Sequence, residues 1–131
     1  MADTPVTPAT DLAGYLTRYP QELTFGDEEP ETVMDRYHTS DYEMVSDGIL
    51  LDRKRLLDHV RPGRKRAASI QVEVDEVIVH GDRVASRYRL IASMRKGNVI
   101  ATEIYMFGQL ADNGRLHRVT QLTRTIPAEQ S

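Results

Sequence analysis

The chain has 131 residues, 40% hydrophobic and 28% charged, with a formal net charge of −3 and no cysteine. That size suits one domain around one core. The mild charge argues against a nucleic-acid partner, the lack of cysteine removes disulfides, thiolate nucleophiles and cysteine-based metal sites, and no apolar run reaches the roughly 18 residues of a membrane helix.

Met1 to Ala9 carry two prolines among small and polar residues and read as a mobile tail. The start lacks the basic residues and apolar stretch of a secretory leader, so the expected location is the cytoplasm. Thr10 and Asp11 can cap a helix whose Leu12, Tyr15, Leu16 and Tyr19 share one face, with Pro20 ending or kinking it. Gln21 to Phe25 is a second short amphipathic stretch, stopped at Gly26-Asp27. Pro30 suits the first turn of the next helix, with Val33, Met34 and Tyr37 inward. His38 to Asp41 breaks that pattern, Tyr42 to Ser46 reads as a short strand, and Asp47-Gly48 turns into Ile49-Leu50-Leu51. Asp52 caps a helix over Arg53 to Val60, which Pro62-Gly63 ends. The basic run Arg61 to Arg66 then reads as a loop.

From Ala68 the apolar period changes from 3.6 to 2. Ile70, Val72 and Val74 alternate with polar residues, and the phase slips at Asp75-Glu76-Val77, as a β-bulge would make it. Turns at His80-Gly81-Asp82, Lys96-Gly97-Asn98 and Asp112-Asn113-Gly114 separate long strands over Val84 to Met94, Val99 to Leu110 and Arg115 to Ile126. The domain spans residues 10 to 126, and 127 to 131 form a polar tail. Short helices followed by an antiparallel meander give an α+β fold in which the helices must cover the apolar face of a bulged, twisted sheet.

Several passages carry a family likeness. Gly26-Asp27, Tyr37 and Asp41 are similar to a "GD … Y … D" stretch, and Asp47-Gly48 with the following helix to "DG … R … L". Val79-His80-Gly81-Asp82-Arg83-Val84 is similar to "V-x-G-D-R-V". Met106-Phe107-Gly108 with Asn113-Gly114-Arg115-Leu116 is similar to "I-F … DGKI". In this order the passages resemble the SnoaL-like branch of the nuclear transport factor 2 (NTF2) superfamily. The resemblance implies a cone of three to four short helices in a strongly curved, mostly antiparallel sheet. It also implies a homodimer through the sheet face, consistent with Arg87 and Arg89 alternating on a polar outer side.

The same resemblance implies a cofactor-free cyclase, isomerase or dehydratase that enolises a polyketide- or steroid-like carbonyl compound by acid–base chemistry. The alternatives are a non-catalytic ligand-binding or accessory protein, or a dimerising interaction module, because one fold hosts many activities. In the isomerase branch the base is a carboxylate near the end of the first strand. Here that position falls on Ser46, or on Asp47 if one residue is inserted; Asp47-Gly48 is otherwise a plain turn. In the cyclases an aspartate on the last strand is the acid/base. Gln121 stands there, and an amide orients a carbonyl or hydroxyl without exchanging a proton.

Glu103 is a third candidate base. One register of its strand points Glu103, Tyr105 and Phe107 into the cone with Val119 and Gln121; a one-residue slip points Ile104 and Met106 inward instead. Tyr15, Tyr19, Tyr37 and Tyr88 are candidate pocket walls and hydroxyl donors, or ordinary core aromatics. Of His38, His59, His80 and His117, His38 lies nearest the expected mouth and best suits acid–base work, a surface histidine being the other reading for each of the four. No histidine pair has metal spacing and no phosphate-loop or dinucleotide motif occurs, so neither metal nor cofactor is expected. The basic run suits a phosphate, a carrier-protein surface, a nucleic acid or plain solvent.

Overall fold

The computed structural model describes residues 6–127. The elements run α1 (Leu12–Phe25), α2 (Pro30–Tyr37), β1 (His38–Ser46), β2 (Ile49–Asp52), α3 (Arg53–Arg66), β3 (Ala67–His80), β4 (Arg83–Met94), β5 (Val99–Leu110) and β6 (Leu116–Ile126). Two helices start where a carboxylate takes up a free backbone N–H: Asp11 accepts from Gly14 and Asp52 from Arg55. Pro30 opens α2, where its missing donor costs nothing.

Neither internal proline ends its helix. Pro20 sits within α1, and beyond it Leu23 packs on the core while the Gln21 amide donates to the Ile70 carbonyl of β3. Pro62 sits within α3, which runs on to Arg66, so the basic run is helical. Arg64 fixes this last stretch. Its Nε donates to the Leu23 carbonyl at 2.7 Å and a terminal nitrogen to the Glu28 carbonyl at 2.9 Å, satisfying acceptors left free around the end of α1. Tertiary partners on the far side of each proline outweigh the one backbone hydrogen bond it removes.

The sheet order is β2-β1-β6-β5-β4-β3. Strands β3 to β6 form the expected antiparallel meander, and β1 joins it parallel to β6 while pairing antiparallel with β2. The phase slip is a bulge at Asp75, because Val74 pairs with Tyr88 and Glu76 with Arg87. Asp47 and Gly48 both have positive φ, as a two-residue hairpin turn between β1 and β2 requires.

The helices cover one face of the sheet. Leu12, Leu16, Val33 and Tyr37 pack there against Val84, Ile104, Met106, Leu116 and Val119. Gly108 leaves room for side chains of its two neighbouring strands: a Cβ would lie 2.8 Å from Val84 Cγ2 and 2.9 Å from Leu116 Cδ2. Part of the expected tail belongs to the domain. Pro8 is fully buried and the Ala9 N–H donates to the Gly114 carbonyl. Met1 to Pro5 and residues 128–131 lie outside the described residues.

Candidate ligand pocket

The helix-covered face holds a cage of aromatic rings. Tyr15 and Tyr19, one turn apart on α1, stack with centroids 5.5 Å apart. Tyr37 of α2 meets both edge-on. His38, the first residue of β1, packs against Tyr19 at 4.7 Å and Tyr42 at 4.2 Å. Such pairs each contribute about 0.5–1.5 kcal/mol beyond burial.

The His38 ring is held at both nitrogens. Nδ1 lies 2.8 Å from the Met34 carbonyl, which can only accept, so Nδ1 carries the proton. Nε2 then accepts from the Tyr15 hydroxyl at 2.7 Å. Burial lowers the imidazole to about 4, opposed by the Met34 hydrogen bond and by Asp35. His38 is therefore neutral near pH 7.

Burial also lifts the phenols of Tyr15, Tyr19, Tyr42 and Tyr88 well above their ordinary range, so all four stay protonated donors. Tyr37 is pushed up to about 12, by burial first and then by Glu22, whose carboxylate accepts its hydroxyl at 2.8 Å and 2.9 Å. The hydroxyls of Tyr15 and Tyr37 are thus committed. Those of Tyr19, Tyr42 and Tyr88 have no side-chain or backbone partner among the described residues.

Beside the cage, the three helices and β1 border a half-open cavity of about 260 Å³. Its floor is Tyr19, Met34, Tyr42 and Met44; its helical wall is Leu56, His59, Val60 and Gly63 of α3. Positions 56, 59, 60 and 63 form one stripe because a helix repeats every 3.6 residues. The lining is mainly apolar, with two free phenols and one imidazole as its titratable groups. For comparison, roughly 150 Å³ of apolar cavity accepts benzene.

The sequence candidates divide sharply. Tyr15, Tyr19, Tyr37 and His38 come together, with Tyr88 packed against the same cluster. Val119 and Gln121 also face inward, and the Gln121 amide donates to Ser46 Oγ at 3.1 Å. His38 is only 1% exposed and lies beneath Tyr42 rather than at the mouth.

Glu103, Tyr105 and Phe107 face away from the cone, because Ile104 (7% exposed) and Met106 (3%) take the inner register. The Glu103 carboxylate pairs with Arg124 at 3.1 Å on the outer side, and Phe107 is 68% exposed. Asp47 is fixed in the hairpin turn, where its carboxylate accepts from both the backbone N–H and the hydroxyl of Thr123. Those two bonds hold its carboxyl below the usual range. None of Glu103, Asp47, Tyr105 and Phe107 lines the cavity.

Sequence patterning assigned Tyr42, Met44 and Leu56 no pocket role and set His59 aside as a surface residue. Tyr42 and Met44 share the inner face of β1 by alternation, and His59 falls on the stripe of Leu56 and Val60. Among the described residues no cluster of three or more His, Asp or Glu is placed to hold a metal ion.

The architecture matches known cones. AclR, a candidate hydroxylase from Streptomyces galilaeus, superposes with a TM-score of 0.68 at 15% identity, over 88% of this chain and 76% of its own. A candidate SnoaL-like polyketide cyclase from Jannaschia sp. CCS1 gives 0.62 at 14% identity, over 94% and 90%. An NTF2-like protein of unknown function from Exiguobacterium sp. 255-15 gives 0.64 at 15% identity, over 88% and 98%. No protein-family profile and no curated protein sequence matches the chain. The fold is the α+β cone of SnoaL-like and NTF2-like proteins.

Proposed function

We propose that this chain binds a compact, largely apolar carbonyl compound of polyketide or steroid type in the cone and enolises it without a cofactor, as a cyclase, isomerase or dehydratase does. The observation that supports this most is the cavity wall itself, where Tyr19, Tyr42 and the exposed His59 line one apolar space. In this reading Tyr42, backed by Tyr19, donates to the carbonyl oxygen. A ring nitrogen of His59 takes the proton from the adjacent carbon, and the electrons of that C–H bond move into the enolate, whose oxygen the phenol stabilises. Tyr15 and His38 hold the Tyr19 and Tyr42 rings in place from behind. The protein works in the cytoplasm as a homodimer joined through the outer sheet face, where Ile78, Phe107 and Leu122 are each more than half exposed.

A second reading, a non-catalytic ligand carrier, draws on the outward placement of Glu103 and the tied carboxylate of Asp47. One experiment separates the two. The probe is 2-acetylnaphthalene in deuterated buffer, with binding followed by protein NMR and deuterium entry at the methyl group by ligand NMR. The enzyme reading expects catalysed exchange that His59→Gln slows by about 10²-fold or more with binding kept, while Tyr42→Phe weakens both. Binding without exchange above buffer leaves the carrier; no binding removes both.

A further inference from the structure

Gly63 is a residue in the wrong place for its helix. It lies inside α3, where glycine is among the least favourable residues. Its backbone is ordinary α-helix, its carbonyl accepting from the Ala67 N–H, so no positive φ calls for glycine. Close packing does not call for it either: a Cβ built on Gly63 meets no heavy atom within 4 Å. Yet the position is only half-exposed and lines the cavity. It continues the stripe of Leu56 and Val60, and Val60 is buried. A side chain at 63 would leave the helix toward the cavity, into unfilled space.

We infer that Gly63 determines ligand size: its missing side chain is the part of the cone that a two-ring ligand occupies. The inference rests on the cavity being the ligand site and adds to it the residue that limits what enters. Two neighbours keep this stretch of α3 at a fixed distance from the opposite wall. Arg64 ties it to the Leu23 and Glu28 carbonyls at the end of α1, and Val60 anchors it one turn earlier. With the helix so held, the space opposite position 63 cannot collapse, and a side chain there would fill it rather than push the wall aside.

The test uses the full chain, a one-ring probe (acetophenone) and a two-ring probe (2-acetylnaphthalene), with affinities from NMR titration and thermal melting as the fold control. Wild type is expected to bind both. Gly63→Leu is expected to keep acetophenone and lose roughly tenfold or more in affinity for 2-acetylnaphthalene. Gly63→Ala is expected to melt at a higher temperature than wild type, because only helix propensity changes. Equal loss of both probes in Gly63→Leu, or unchanged affinity for the larger one, overturns the size role while leaving the cavity as the site. A lower melting temperature for Gly63→Ala shows that glycine is needed for packing and overturns it as well. Failure of wild type to bind either probe removes the cavity itself.

Discussion

The two faces of the sheet use the same strands to opposite ends. Inside, β5 places Ile104 and Met106 against helices, and the neighbouring phenols are gathered around one neutral imidazole. Outside, the residues between them line up in rows across the strands. Glu73, Arg89, Glu103 and Arg124 pair successively from β3 to β6, with contacts of 3.2 Å and 3.1 Å at either end of the row. Two rows on, Ile78, Ala85, Phe107 and Thr120 share a row in which the Ile78 and Phe107 side chains are open to water. Hydrophobicity alone does not tell these faces apart, since Tyr105 and Phe107 are as apolar as Ile104 and Met106. What separates them is the cover: only one face has helices to pack against.

The comparison can be broken by experiment. The largest effect belongs inside. Leu116→Ala should cost about 2–5 kcal/mol in urea unfolding, since Leu116 is fully buried between the helices and Gly108. Next comes the pH response of the cage. Between its ordinary value of 6.5 and about 4, the unfolded chain protonates His38 and the folded chain does not. Stability from this residue should therefore fall as pH drops through that window and level off below it, by roughly 3 kcal/mol. In His38→Asn, unfolding measured from pH 7 to 4 should lack that component of the slope; an unchanged slope would mean the imidazole is not held neutral. The smallest effect belongs outside. Phe107→Ser should change the unfolding of the dilute monomer by no more than about 0.5 kcal/mol, while the proposed homodimer, followed by sedimentation, should dissociate. A loss comparable to Leu116→Ala would erase the distinction between the faces.

Much of the architecture was legible in the sequence. The bulge at Asp75, the Asp52 cap and the turn at Asp47-Gly48 each follow from a local pattern with a local cause. What was not legible depended on distant residues. Pro20 and Pro62 read as helix ends because the contacts that carry the helices past them come from β3 and from the α1–α2 connection. The register of β5 was undecidable because both of its faces are apolar. Of the pocket, the tyrosines on α1 and α2 were found by helical spacing. Tyr42 and His59 were not, since β1 and α3 meet at the cavity only through folding.

The parallel pairing of β1 with β6 has a consequence for how the chain assembles. Ser46 and Gln121, joined across that pair, are 75 positions apart in the chain. The hairpins of β3 to β6 close short loops and can form early, whereas β1 has no long partner until the last strand exists. Tyr42 and Met44, which floor the cavity, ride on β1. The floor of the pocket is therefore seated only once β6 is in place, and a chain cut short before β6 would leave Tyr42 and Met44 on a strand without its long partner.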